Sequence, residues 1–450
     1  MSTVEYKNYY TKIFLFFYFI QGMVVGVPTL ILAPYIAQVL GGEFDLARYL
    51  IVGTIATLPW IIKLIVGVLS DKYGSKKYGR RFPYIVGFGT FGGIGFCIMG
   101  SFLPSDESIY TYLAIYLFII MVGIAFADTA VDGLILDITP KENLGNIQGL
   151  TWALRLIGMI VGGAILGMIF MILNMIPILF IIIGILMILA CILPYYVEEL
   201  PVEKVKKIGH DVLSIFTRRK NYKVMLFVLT GAITQRLILN FLIFLILISM
   251  GILDVDETVV SITSGSAVDF LGWYSVFFFV NGGGTIIGSI IAGKFADRNR
   301  KKAISIAYVV YIPFVLLTLI PFLLTSDYLA AMILGFIFIG LFGMIESARS
   351  VAGSTIRGDI VRKEYPNLKG TYYSILVSCV NAGFALGSLL GAILIILFAL
   401  YFTSFYILYL IIAIVCALFL TTAYLLFRLI DPADYELQKN ISEEKEVYFA

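Results

Sequence analysis

Charge is scarce in this chain: Asp, Glu, Lys and Arg make up 14% of its 450 residues and hydrophobic residues 60%, with a mean hydropathy of +0.98. So little polar surface cannot clothe a water-soluble core, so a polytopic membrane protein is indicated. Cysteine is scarce too. Cys97, Cys191, Cys379 and Cys416 fall singly inside apolar segments, leaving no basis for a disulfide framework or a thiolate metal site. The one histidine, His210, lies in the central loop, so any proton coupling must fall to carboxylates. A formal charge of +3 is too small to suggest a nucleic-acid partner. Nucleophile–base pairs, metal clusters and phosphate-cradling glycine loops are missing, so neither an enzyme nor a cofactor is expected.

Long apolar runs are what the chain does have. Runs of about 20 residues cross a hydrocarbon core of roughly 30 Å, and twelve are found, at 10–38, 47–69, 83–104, 109–136, 146–171, 175–196, 222–250, 269–295, 302–324, 327–349, 370–397 and 402–429. The amino terminus has eight fairly polar residues and then a long apolar run without a small-residue cleavage site, which reads as a retained first span. The connections at 70–82, 197–221, 296–301 and 350–369 hold most of the Lys and Arg, whereas those at 39–46, 105–108, 251–268 and 325–326 are poor in cations. That alternation predicts one topology, with both termini cytoplasmic. The longest inner loop divides the chain into a bundle at 1–196, a linker at 197–221, a bundle at 222–430 and a tail at 431–450. In the linker, Val202, Val205, Val212, Ile215 and Phe216 recur at helical spacing against Lys204, Lys206, Lys207, Arg218 and Arg219. They fit a helix lying on the inner leaflet or a solvated linker. The acidic tail is expected to be disordered.

Between spans 2 and 3 the chain reads GVLSDKYGSKKYGRRFP from Gly67, and between spans 8 and 9 a degraded copy, GKFADRNRKK, begins at Gly293. Gly67, Asp71, Lys72 and Gly74 in the first copy, with Gly293, Asp297 and Arg298 in the second, resemble the loop motif of the major facilitator superfamily. In that motif Gly67 would let span 2 approach a neighbour closely, and Asp71 would latch the cytoplasmic side when it is shut. The resemblance implies an all-α membrane protein of twelve transmembrane helices in two pseudo-symmetric six-helix bundles. It also implies transport by alternating access, with spans 1, 4, 7 and 10 lining a central cavity. Leu58-Pro59-Trp60-Ile61-Ile62-Lys63 and Asp128-Thr129-Ala130-Val131-Asp132-Gly133 look like the folate-biopterin, muropeptide and acetyl-CoA branches. Tyr78-Gly79-Arg80-Arg81-Phe82-Pro83-Tyr84 is similar to the glycoside–cation symporters, so the substrate stays open.

Charges within spans cost about 2.5–3.5 kcal/mol each on insertion scales unless paired or wet. Asp128 and Asp132 lie one helical turn apart on span 4. Arg155 on span 5 stands at similar depth, which predicts an Asp128–Arg155 pair, either architectural or coupling. Arg236 lies nearest the midplane and suits an anionic or carboxylate-bearing solute, because a guanidinium holds such a group bidentately. Glu346, with Arg349 beside it on span 10, should match Asp128 in depth; Gln21 and Asn240 are uncharged polar candidates for the same pathway. Lys63 is expected to snorkel to the inner interface. Gly158 and Gly162 on span 5, and Gly383, Gly387 and Gly391 on span 11, permit close helix contact. The expected partners are a small polar or anionic solute, a coupling proton or sodium ion and the bilayer of the cell membrane, with the protein acting as a monomer. A lipid flippase or drug exporter of the same fold and a non-transporting membrane sensor are the alternatives.

Overall fold

The structure, a computed structural model, describes residues 6–75, 78–139, 141–199, 215–325, 327–365, 369–401 and 404–435. Twelve helices are long and apolar enough to cross a membrane: α1 (Asn8–Val39), α2 (Leu46–Gly67), α3 (Phe82–Phe102), α4 (Ile109–Ile135), α5 (Leu150–Ile172), α6 (Ile176–Tyr196), α7 (Arg219–Ser249), α8 (Ala267–Ala296), α9 (Arg300–Leu323), α10 (Tyr328–Val361), α11 (Thr371–Ala399) and α12 (Phe405–Arg428). Helices satisfy their own backbone groups, which a bilayer demands of any spanning segment. Large side chains left bare, such as Ile286, Ile290 and Leu418, coat the faces that meet lipid.

Packing follows the glycines. Gly158 and Gly162 of α5 abut α1, where a Cβ on Gly158 would overlap the carbonyl oxygen of Phe19. Gly383 and Gly387 of α11 abut the carbonyls of Leu229 and Ile233 on α7. The two halves therefore use one device, helix backbones in direct contact where side chains are missing. Gly158→Val is expected to abolish accumulation of folded protein, measured as monodisperse yield in detergent, because the clash is with backbone that cannot give way.

Gly67 does not fit this expectation. A Cβ there would meet only the Thr129 methyl, at an ordinary 3.6 Å, and one at Gly293 would meet nothing within 4 Å. The reason lies in how the halves touch. The far half of α1 and of α5 leans on α8, and α2 runs against α11, while the helical stretches Asn8–Gly26 and Lys141–Met159 pack mainly within their own half. The stretch around Gly67, at the end that carries the 70–82 connection, here the basic end, touches both α4 and α11, but at Gly67 itself only the Thr129 methyl comes into contact range.

The opposite end is shut by a small sheet that the sequence reading did not foresee. β1 (Glu43–Asp45) comes from the first half, and β2 (Leu253–Asp256) and β3 (Val259–Ile262) from the second. The order is β1-β3-β2, all antiparallel, with Glu43 opposite Ser261 and Asp256 opposite Val259. Phe44 is buried against Phe244 and Phe270, each ring centre 6.2 Å away, so β1 is anchored by a side chain as well as by its backbone.

Two other expectations change, and a third lies outside the described residues. The 350–369 connection is mostly helix, since the helix containing α10 runs on to Glu364; its charged residues lie on a helix projecting past the apolar stretch. The tail is ordered as far as Tyr435: Lys220 holds Asp434 at 2.7 Å and Glu364 at 2.9 Å, and Asp434 and Tyr435 are buried. The linker helix expected from Val202 to Phe216 falls almost wholly outside the described residues, and 436–450 lie outside them too.

Candidate functional site

A cavity of about 210 Å³ lies between the halves. Its wall takes Pro28 and Thr29 from α1, Tyr49 and Trp60 from α2, Arg155 from α5, Arg236 and Asn240 from α7, Tyr274 from α8, and Asn381 and Phe384 from α11. Two π-helical turns, Val27–Ile31 in α1 and Ile160–Ile165 in α5, pack against each other beside it. Such turns put backbone off the regular ladder and recur at functional sites. The Asn381 side chain donates to the Trp60 carbonyl at 2.9 Å and so links the halves across this space.

Two of the wall residues are arginines, and no carboxylate lines the cavity among the described residues. The Arg155 guanidinium lies over the Trp60 and Trp152 rings, 5.5 and 5.1 Å from their centres. Arg236 lies over Phe384 at 5.9 Å. Neither makes an ion pair among the described residues. Ring faces tolerate a cation without neutralising it, so both charges are left available to whatever enters.

The carboxylates of α4 lie next to this wall. Asp128 is 3% exposed and its two oxygens are taken: the Gln21 amide donates to one at 2.6 Å and the Lys63 ammonium to the other at 3.1 Å. The Asp128–Arg155 pair expected from equal depth is therefore not formed. Lys63 takes that place, and the snorkelling expected of it is not seen. The regular helix is interrupted after Ile62, and Lys63 stands at the break with its side chain turned inward to Asp128. Asp132 is exposed, accepts a hydrogen bond from the Tyr18 hydroxyl, and feels the charges of Asp128, Lys63 and Arg155. Thus α1, α2, α4 and α5 each contribute to one cluster.

Glu346 and Arg349 do not join the cavity. They pair with each other at 2.5 and 3.0 Å, buried beside Tyr308 and Tyr311. Three residues apart on one helix, they satisfy each other locally. At the basic end Arg80 and Arg81 reach Asp137 at the close of the α4 helix, and Arg300 reaches Asp359 at 3.0 Å in the matching place of the second half. The Glu199 carboxylate accepts from the backbone N–H groups of Arg80, Arg81 and Phe82 at 2.6–2.8 Å, capping the start of α3. Gly74 and Arg298 are exposed. The side chains of Asp71, Lys72 and Asp297 lie outside the described part, and the expected latch with them.

Comparison with known proteins now bears on this architecture. The family model described as Major Facilitator Superfamily matches residues 14–345 and 239–448. The chain belongs to the major facilitator superfamily. It is thus a multi-pass membrane transporter, and its twelve helices are this family's two six-helix halves. Among solved structures it resembles a bacterial homologue of the human lysosomal transporter Spinster, inward-facing and unoccupied, at 14% identity and TM-score 0.66, covering 96% of this chain and 98% of that one. It also resembles the nucleoside transporter NupG, at 14% identity and TM-score 0.64 over 93% and 99% of the two chains. A D-xylose–proton symporter is similar at 15% identity and TM-score 0.64 over 95% and 99%. These likenesses show the superfamily fold alone. Comparison with curated proteins by sequence gives no match.

Lys63, Tyr18 and Trp60 are the functional candidates that depth-based reading of the sequence missed. The signal for Lys63 was its charge inside an apolar span, which calls for a partner.

Proposed function

We propose that the protein is a secondary active transporter that carries a small anionic organic solute by alternating access, in symport with a proton or sodium ion. The observation that carries this reading is the shared cavity, where an arginine from each half faces the interior and no described carboxylate faces it. Arg236 receives an anionic group, and Asn240 and Asn381 offer amides to its neutral parts. Asp128 and Asp132 form the coupling site, with Gln21, Tyr18 and Lys63 fixing them. The solute and the coupling ion thus bind to neighbouring groups, which couples them by direct charge interaction.

The protein sits in the cell membrane as a monomer, with the basic end and both termini in the cytoplasm. Residues 1–196 and 222–430 are the two rocking bundles, and 197–221 and 431–450 the linker and tail. The sheet is then the outer gate, and the conformation described is open towards the cytoplasm. The paired motifs at Gly67–Gly74 and Gly293–Arg298 close the inner side when β1 parts from β3.

Proteoliposomes with imposed gradients test the reading. A panel of radiolabelled organic anions should accumulate under an inward proton or sodium gradient and not without one. Flux indifferent to both gradients removes symport; movement of labelled lipid, or binding without flux, points to a flippase or a sensor. The gate assignment has its own test. Glu43→Cys with Ser261→Cys places two thiols at directly opposed positions, within disulfide reach. Oxidation is expected to stop transport by more than 90%, on the order of what a locked gate requires, and reductant to restore it.

A further inference from the structure

We infer that the solute carries two negative charges, one held by Arg236 at all times and the second admitted at Arg155 when a proton occupies Asp132. This rests on the anion-symport reading above and names its substrate class and its charge rule.

The argument is a balance of fixed charges. The cavity and the adjoining cluster contain the cations Lys63, Arg155 and Arg236 and the anions Asp128 and Asp132. With both carboxylates ionised one positive charge remains uncompensated. It belongs to Arg236, which has no ion pair in the protein among the described residues, only the Phe384 ring. A charge left this way in a low-dielectric cavity favours a counter-ion from the ligand.

The other four charges cancel within the first half. Asp128 is occupied by Lys63 and Gln21. Asp132 is the carboxylate that water reaches. Facing it are Tyr18 on α1, Lys63 on α2, Asp128 on α4 itself and Arg155 on α5. A proton arriving from the open side binds the Asp132 oxygen that Tyr18 does not use, and no other bond changes. The Asp132 charge is then gone, and Arg155, held between two indole faces and without an ion pair of its own, becomes the second uncompensated cation. The site so charged accepts two anionic groups, and a mono-anion leaves it one charge short. Trp60, which lies under Arg155, and Tyr49 and Tyr274 of the same wall suit a short, flat or apolar spacer.

Two chemistries supply such a charge, a dicarboxylate bridging the arginines or a phosphate monoester shared by both. Purified full-length protein in detergent is tested by thermal shift at pH 6 and pH 8. The probes are straight-chain dicarboxylates of three to six carbons, their monomethyl esters, glycerol phosphate, and alkane disulfonates with the matching monosulfonates, whose charge does not change with pH. The expected result is that the disulfonates bind on the order of 10-fold or more tightly than the monosulfonates, and more so at pH 6. In Asp132→Asn at pH 8, where both classes are fully doubly charged, dicarboxylates above glycerol phosphate assign the bridging form, and the reverse order the phosphate form; either supports the inference. Arg155→Gln is expected to cut the ratio of doubly to singly charged affinity by about 10-fold. Asp132→Asn should hold it at its pH 6 value at both pH values and uncouple flux from a proton gradient.

Equal affinity for singly and doubly charged probes, a ratio unmoved by Arg155→Gln, pH dependence that survives Asp132→Asn, or flux that follows sodium instead of pH overturns the inference. If mono-anions bind and Arg236→Gln removes them while doubly charged probes gain nothing, this inference fails and the anion reading stands. If no anion of either charge binds, the anion reading fails with it.

Discussion

Arg236→Gln is expected to lower anion uptake by roughly 30-fold or more. Truncating one partner of a desolvated charge pair costs about 2–5 kcal/mol, and each 1.4 kcal/mol is a factor of about ten in affinity. Uptake of the best-bound anion into proteoliposomes gives the functional number; its thermal shift on the purified variant gives the binding one. Arg236→Lys should fall between, since the charge stays but the planar fork is lost. The variant itself should fold normally, because the native guanidinium rests on Phe384 and makes no ion pair among the described residues. Wild-type flux in Arg236→Gln would mean that the solute binds elsewhere in the cavity.

Lys63→Met is expected to lower stability strongly. It leaves Asp128 buried, with the Gln21 amide still in place but no cation. Breaking a buried pair from one side costs about 3–5 kcal/mol, to be read as a large fall in apparent Tm. Adding Asp128→Asn should recover most of that loss, because an amide can still bond Gln21 and carries no charge to be compensated. A snorkelling lysine would behave otherwise, with the single variant nearly neutral and the second change giving no rescue. The double variant also separates scaffold from coupling. A folded protein that still couples leaves Asp132 alone as the proton-binding group.

These two residues show what a sequence of this kind discloses. All twelve spans could be read from the lengths of the apolar runs, because a bilayer of fixed thickness sets helix length directly. Depth was readable as well, which brought Asp128, Asp132 and Arg155 to the right neighbourhood. Rotation about the helix axis was not. Asp128 faces α1 and α2, where Gln21 and Lys63 meet it, and a residue count from the loop carries no information about that angle. Glu346 failed for a related reason: a partner three residues away on its own helix satisfied it before any cavity was needed. The sheet was legible in principle, since Leu253-Asp254-Val255-Asp256 alternates and Val259 to Ile262 is rich in β-branched residues. Segments of three or four residues are too short to outweigh a reading as loops.

The three-stranded sheet, taken as the outer gate proposed above, sets how easily the carrier can turn over. Only β1 would have to part, since β2 and β3 belong to one hairpin of the second half, and the seam spans three residue pairs. Each backbone bond there is worth a net of about 1 kcal/mol, and exposing Phe44 adds about 1.5–3 kcal/mol. A fastening of that size is weak enough to open and reclose in every cycle, as a symporter must do with its site empty as well as filled.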